Sequence, residues 1–343
     1  MTLGIPAPDE GARAAVARRL DAKTKPRGSL GRLEELACTV AAVQGTERPD
    51  VRRKAVVVMA ADHGVAAAGV SAYPQDVTGQ MALNFAAGGA AICVLARLAG
   101  AEVVVVDMGC RAPVGHPGVL DRRIGPGTRD FTRGPAMTRD EAGRAVDAGI
   151  GVAADLAGRG VRLVGLGEMG IGNTTAASAM TCAFLGTPPE TVTGRGTGVD
   201  DAGYARKIRA VERALEVNRP DGRDALDVLS KVGGFEIAGL AGVALGAAAR
   251  RVPVVVDGFI ATAAAFAATR LDPGVAACLL PSHGSVEIGH RRLLDALGTR
   301  PLLDLEMRLG EGTGAALAMP LVEAAVRILD EMATFESAGV SRA

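Results

Sequence analysis

Five short runs of apolar, mostly β-branched residues punctuate the chain, at 55–59, 103–106, 161–166, 253–256 and 276–280. Continuous apolar runs of this length suit strands buried on both faces, as in the middle of a parallel sheet. Between them lie alanine-rich segments, 80–98, 140–156, 202–217 and 237–250, each long enough for a helix. Strand and helix alternating in this way predict a parallel sheet with helices on both faces, a Rossmann-like α/β architecture. Residues 1–44 and 317–336 read as helical with no strand between them, so the two ends are expected to pair as a small helical subdomain. The expected division is 1–49 for the N-terminal part of that subdomain, 50–300 for the α/β core, and 301–343 for a loop and helix returning to it.

Each apolar run leads into a polar, glycine-containing turn: Asp62-His63-Gly64, Asp107-Met108-Gly109, Glu168-Met169-Gly170, Asp257-Gly258 and Ser282-His283-Gly284-Ser285. Ligands of open α/β sheets sit outside the carboxyl ends of the strands, so these turns are candidate pocket walls. The richest segment is Gly165 to Thr175. Its glycines allow backbone N–H groups to approach an anion, and Asn173, Thr174 and Thr175 fall where a helix N-terminus offers unpaired donors. Glu168 conflicts with a phosphate there, unless it faces an electron-poor part of the same ligand. Gly165, Gly167 and Gly170 also match the dinucleotide fingerprint, but the second strand with an acidic ribose-binding residue does not follow: 186–198 is a loop rich in Pro, Gly and Thr. A mononucleotide phosphate fits better.

A second glycine-rich turn, Gly194 to Gly198, precedes a helix carrying Lys207, which either completes an anion site or is simply solvated, as helical lysines commonly are. Ser285 is expected to cap the helix that follows it and to donate to the same phosphate. His283, Glu287 and His290 have i, i+4, i+7 spacing, but a helix starting near Ser285 leaves His283 outside, so no metal is expected. Glu311 stands between glycines just before a helix at 315–333. The helix dipole there favours its ionised form, which suits a proton acceptor, although capping is the plainer use of such a glutamate. His63 and His283 are expected to buttress turns.

Composition narrows the class. Lys plus Arg equals Asp plus Glu at 38 each, Trp is absent and aromatics are 3%, which disfavours nucleic-acid and membrane-surface partners. The first 28 residues carry no apolar signal segment, and five dispersed cysteines form no CxxC pair, so a cytoplasmic protein without disulfides is expected. Gly, at 46 of 343 residues, is about twice its usual frequency of roughly 7%, implying many tight turns or close backbone approaches.

Taken in order, Lys25 to Leu33, Ala61 to Gly64, Gly88 to Ile92, Gly167 to Thr175, Gly194 to Gly198, Val256 to Gly258, Pro281 to Ser285 and Arg308 to Gly314 resemble the nicotinate-nucleotide:dimethylbenzimidazole phosphoribosyltransferase family, over nearly the whole chain. The resemblance implies transfer of the phosphoribosyl group of nicotinate mononucleotide to 5,6-dimethylbenzimidazole, giving α-ribazole 5′-phosphate and nicotinate with anomeric inversion, in cobalamin nucleotide-loop synthesis. It implies Glu311 as general base and Glu168 beside the ribose. It places the phosphate on Gly170, Gly172, Asn173, Thr174 and Thr175, with Lys207 and Ser285, and puts Asp257 and Gly258 on the ribose side. Ser71, Gln80 and Leu309 are implied around the acceptor base. No metal or redox cofactor is implied, and a homodimer is. Two other readings stand beside it: a nicotinamide-dependent oxidoreductase, which needs the missing acidic residue, and a nucleotide-binding regulatory module, in which Glu311→Gln changes no turnover.

Overall fold

The computed structural model describes residues 3–341; the outermost residues of the expected helical ends, 1–2 and 342–343, lie outside the described residues. Six strands form one sheet: β1 (Lys54–Ala61), β2 (Ala101–Gly109), β3 (Val119–Asp121), β4 (Leu163–Met169), β5 (Val254–Val256) and β6 (Leu279–Pro281). Their order is β3-β2-β1-β4-β5-β6 and every pairing is parallel. The chain runs outward in one direction from β1 and in the other from β4, so the crevice between those two strands is the topological switch point.

Four of the five expected strands are present near their expected bounds; the run at 276–280 is strand only from Leu279, because Pro273–Cys278 winds into a 3-10 helix. β3 is an addition, a three-residue edge strand paired only to β2 and too short and polar to register as an apolar run. The segment expected as one helix at 80–98 is two, Val77–Ala86 and Ala91–Ala99, separated at Gly88 and Gly89. That break matters for the membrane question too, because the apolar stretch Val77–Ala99 has the length and hydropathy of a span. Its two helices of 10 and 9 residues are each too short to cross about 30 Å of hydrocarbon.

Successive residues of β1 point to opposite faces and join different cores. Val57 and Met59 pack with the helices Arg139–Gly158, Phe235–Ala248 and Phe259–Leu271. Val56 and Val58 pack with Arg32–Gln44, Ala91–Ala99 and Thr313–Glu331. Helices from both chain ends thus meet on one face of the sheet, with Val16, Leu20 and Leu36 beside Val322 and Leu329.

The abundance of glycine has a packing cause as well as a turn cause. Helices Arg139–Gly158 and Phe235–Ala248 cross so closely that a Cβ at Gly149 would overlap the Gly239 carbonyl oxygen, and one at Gly242 the Val146 carbonyl. Backbone cannot yield as a side chain can. Gly149→Ala is therefore expected to lower stability by about 1–3 kcal/mol, read as a lower denaturant midpoint with unchanged slope.

Candidate active site

Beside the switch point a cleft of about 720 Å³ opens over the carboxyl ends of β4 and β5. Glu168, near the end of β4, is 6% exposed and accepts a hydrogen bond from the Asn173 side chain. The glycines preceding it are explained by what lies on the sheet. A Cβ at Gly167 would overlap the Glu311 backbone, and one at Gly165 would press on Met319 and Ala315. Gly165 and Gly167 are thus strand residues cleared for the incoming Glu311 loop, rather than part of an anion-binding turn. The dinucleotide-like spacing is a by-product of that packing. Gly310 serves the same approach from the other side, since a Cβ there would overlap Glu168 Oε1.

Glu311 adopts φ +62°, a left-handed conformation costly for a residue with a side chain, between Gly310 and Gly312, both at φ +89°. Asp257 holds it there. Its carboxylate accepts from the N–H groups of Gly312 at 3.0 Å, Gly314 at 2.7 Å and Ala315 at 3.3 Å, and His283 Nε2 lies 3.5 Å away. Asp257 therefore takes the first N–H groups of the helix Thr313–Glu331, and Glu311, contrary to the dipole expectation, does not benefit from them. Glu311 Oε2 instead accepts from Ile92 N–H at 3.3 Å. Burial, with the Asp257 charge adding to it and the Ile92 bond opposing, raises its pKa above the ordinary glutamate value. Burial likewise pushes Glu168 up to about 8; Asn173 opposes, while the Asp257, Glu236 and Glu311 charges add. His283 is buried, which disfavours its cation, yet its bond and charge interaction with Asp257 raise its pKa.

The phosphate-friendly groups gather at the far end of the cleft. Lys207 is fully buried and is not itself among the lining residues; its Nζ donates to Thr174 Oγ1, which does line the cleft, at 2.9 Å, next to Gly196. Burial brings its pKa down to about 8, with Glu287 opposing the shift. Ser285 lines the same cleft, as does Arg308, whose guanidinium donates to the Gly196 carbonyl at 3.2 Å. Gly170, Asn173 and Thr174 also line it, whereas Gly172 and Thr175 do not. Gly172 faces His63 and Val65, and Thr175 is fully buried. Three amides of this segment are already engaged, Ile171 by Thr78 Oγ1, Asn173 by the Gly170 carbonyl and Thr175 by that of Gly172. Groups able to meet an anion are thus offered more by Thr174, Lys207 and the Gly196 loop than by the glycine turn itself.

The helix following Ser285 begins at Ile288, with Glu287 at the N-cap position but making no side-chain capping bond, so the expected serine cap is absent; Ser285 Oγ accepts from Glu287 N–H at 3.3 Å instead. His290 is buried, and its ring nitrogens meet Ser285 N–H at 2.9 Å and Thr262 Oγ1 at 3.0 Å. Burial and the neighbouring His283 push its pKa down to about 3, so it is neutral. Among the described residues no three His, Cys, Asp or Glu side chains are arranged to hold a metal. His63 sits behind Gly170, fully buried, with Nε2 2.6 Å from Glu236 Oε1, and buttresses the turn.

Tyr73, Val77, Met81, Met169 and Leu309 supply the apolar part of the cleft lining. Leu309 stands there as expected. Gln80 does not: it is exposed and lies off the cleft, whereas Val77 and Met81, at i and i+4 on the same helix, line it. Ser71 pairs with Thr197 Oγ1 at 3.2 Å, bracing the rim. Starting the helix at Val77 instead of Gln80 exposes that i, i+4 pair in the sequence. Glu287 and Arg308 have no local signal, because their partners at Gly196 are 91 and 112 residues away.

A family model described as phosphoribosyltransferase matches residues 5–340. The nicotinate-nucleotide–dimethylbenzimidazole phosphoribosyltransferases of Chloroflexus aggregans and Geobacter metallireducens are 58% and 56% identical to this chain, each alignment covering 97% of it and 95% of the relative. The crystal structure of CobT from Thermus thermophilus superposes with a TM-score of 0.93 at 52% identity, over 97% of this chain and all of that one. The chain belongs to the nicotinate-nucleotide–dimethylbenzimidazole phosphoribosyltransferase family.

Proposed function

We infer that this cleft carries out the reaction for which the family is named: transfer of phosphoribose from nicotinate mononucleotide to 5,6-dimethylbenzimidazole, giving α-ribazole 5′-phosphate and nicotinate. The observation that carries this reading is the pairing of two buried carboxylates, Glu168 and Glu311, between an anion-binding end and an apolar wall. The phosphate goes to Thr174, Lys207 and Ser285, and the flat acceptor base to the wall of Val77, Met81 and Leu309. One ring nitrogen of the base attacks C1′ from the face opposite the pyridine. The C1′–N bond breaks, its electron pair returns to the pyridinium nitrogen, and the anomeric centre inverts. As the new bond forms, the other ring nitrogen becomes acidic and its proton passes to Glu311. Glu168 faces the ribose, where positive charge develops. Incubation with both substrates yields α-ribazole 5′-phosphate by mass; absence of that product across a range of benzimidazoles refutes the reading.

Donor binding is expected to release a proton. With its pKa near 8, Glu168 is mostly protonated in the empty cleft at pH 7, and the cationic pyridinium of the donor favours the carboxylate. Below pH 8 the donor must drive that ionisation, so its affinity rises with pH, by up to about tenfold per unit, and levels off above. Calorimetry at pH 7 in buffers of different ionisation heat should show close to one proton released per donor; none released removes Glu168 from the donor site.

We further propose that the protein is cytoplasmic and homodimeric, with the helical ends, 1–49 and 301–343, acting as a subdomain that carries Glu311 to the core, 50–300. All five cysteines are unpaired, which suits a reducing compartment. The exposed Leu83, Val94 and Leu98, on neighbouring helices, offer an apolar surface for a second copy.

A further inference from the structure

We propose that Glu287 accepts a hydrogen bond from a ribose hydroxyl of the donor and thereby selects a ribosyl over a deoxyribosyl group. The inference rests on the reaction inferred above. Four carboxylates line the cleft: Glu168, Asp257, Glu287 and Glu311. Asp257 is filled by three backbone N–H groups and His283, so it braces the catalytic loop and has little left for a sugar. Glu168 is paired with Asn173, and Glu311 with Ile92 N–H. Glu287 differs. It is 7% exposed, its Oε1 accepts from Gly196 N–H at 2.9 Å, and its Oε2 is buried with no partner.

A buried carboxylate oxygen left bare is costly, and where such an atom lines a cleft the missing partner is commonly the ligand. The surroundings are shaped for this side chain, since a Cβ at Gly194 would overlap the Glu287 carboxylate. Gly196, which fixes Oε1, also adjoins Lys207 Nζ and Thr174 Oγ1, so the Glu287 carboxylate lies beside the phosphate-friendly end of the cleft that it lines. A phosphate oxygen is repelled there, whereas a hydroxyl gains a charge-assisted bond. The ribose is the part of the donor that adjoins the phosphate and carries hydroxyls.

The test compares kcat/KM for nicotinate mononucleotide and its 2′-deoxy and 3′-deoxy counterparts in the wild type, Glu287→Gln and Glu287→Asp. The wild type is expected to disfavour at least one deoxy donor by about 10²-fold or more. In Glu287→Gln the single oxygen is claimed by Gly196 N–H and an NH₂ faces the sugar, so that preference should collapse to within about fivefold, mainly through slower ribosyl transfer. Glu287→Asp, with its shorter reach, should fall between the two. Equal slowing of all three donors marks a purely structural residue and overturns the proposal. Tighter binding of every donor by Glu287→Gln overturns it too, since Glu287 would then be an internal anion that the phosphate displaces. A wild type that turns over all three donors alike overturns it without any variant, while leaving the reaction itself established. No product from nicotinate mononucleotide in the wild type fells the underlying reading and this inference with it.

Discussion

Glu311→Gln is expected to lower kcat by about 10²- to 10⁴-fold while leaving donor affinity and the fold intact. Glutamine keeps the side-chain shape and the oxygen that meets Ile92 N–H, and it bears φ +62° no worse than glutamate. What it loses is the ability to take a proton from the acceptor base. Stability should not fall. The folded state raises the Glu311 pKa, so it favours the protonated acid, and the stability that this group contributes is present below its unfolded pKa and lost as pH rises past it. Burial makes the ionised form the costly one, and the neutral amide removes that cost. Steady-state kinetics, donor calorimetry and a melting curve on one preparation check all three statements. A loss confined to donor KM would show Glu311 to be a binding residue and leave the proton without an acceptor.

Burial thus serves the chemistry in a way that the helix dipole alone would not. A glutamate ionised by a helix N-terminus is a weak base, whereas one lifted by burial and by a neighbouring carboxylate is a stronger one. Burial, with the same crowding of negative charge added to it, raises Glu168, so a cationic donor is what would favour its carboxylate. The arrangement favours a ligand carrying positive charge at its centre and negative charge at its end. Nicotinate mononucleotide has its pyridinium and phosphate in that order.

How far the fold and site are legible in the sequence follows from the range of the interactions. The strands 54–61, 101–109 and 163–169 are written locally, because each is built on a run of apolar residues in the interior of the sheet. The edge strand Val119–Asp121 is not, since only its pairing with β2 makes it a strand. Glu168 and Glu311 are legible as carboxylates among glycines, but the reason for Gly165 and Gly167 is not. That reason is the Glu311 loop and the helix behind it, which come from residues nearly 150 positions later and lie across β4. Asp257 reads from its place after a strand as a pocket-wall residue, and the family resemblance puts it on the ribose side. Its oxygens are committed to N–H groups 55 to 58 residues downstream, a use that no spacing rule announces. Gln80 is implied by the resemblance alone and lies off the cleft lining; the helix starts at Val77, three residues before the segment at 80–98 expected from the sequence, and Val77 and Met81 line the cleft.

Because Asp257 acts through the loop it holds, Asp257→Asn should reduce kcat far more than it reduces donor binding. The amide retains one oxygen, but its NH₂ must face a backbone N–H, so at least one of the bonds to Gly312, Gly314 and Ala315 is lost and the rest lose their charge. A stability loss of about 2–4 kcal/mol is expected. Glu311, kept left-handed by this anchor, then relaxes, and a shift of about 1 Å in a catalytic group can cost about 10²-fold in rate. Destabilisation alone could mimic that fall, but the pH profile separates the two. The Asp257 charge helps to raise the pKa of Glu311, so removing it lets the base ionise at lower pH, and the acid limb of kcat should move downward. An acid limb that stays in place, with the rate loss rescued wherever the variant is fully folded, would confine Asp257 to stability and leave the Glu311 loop positioned by its glycines alone.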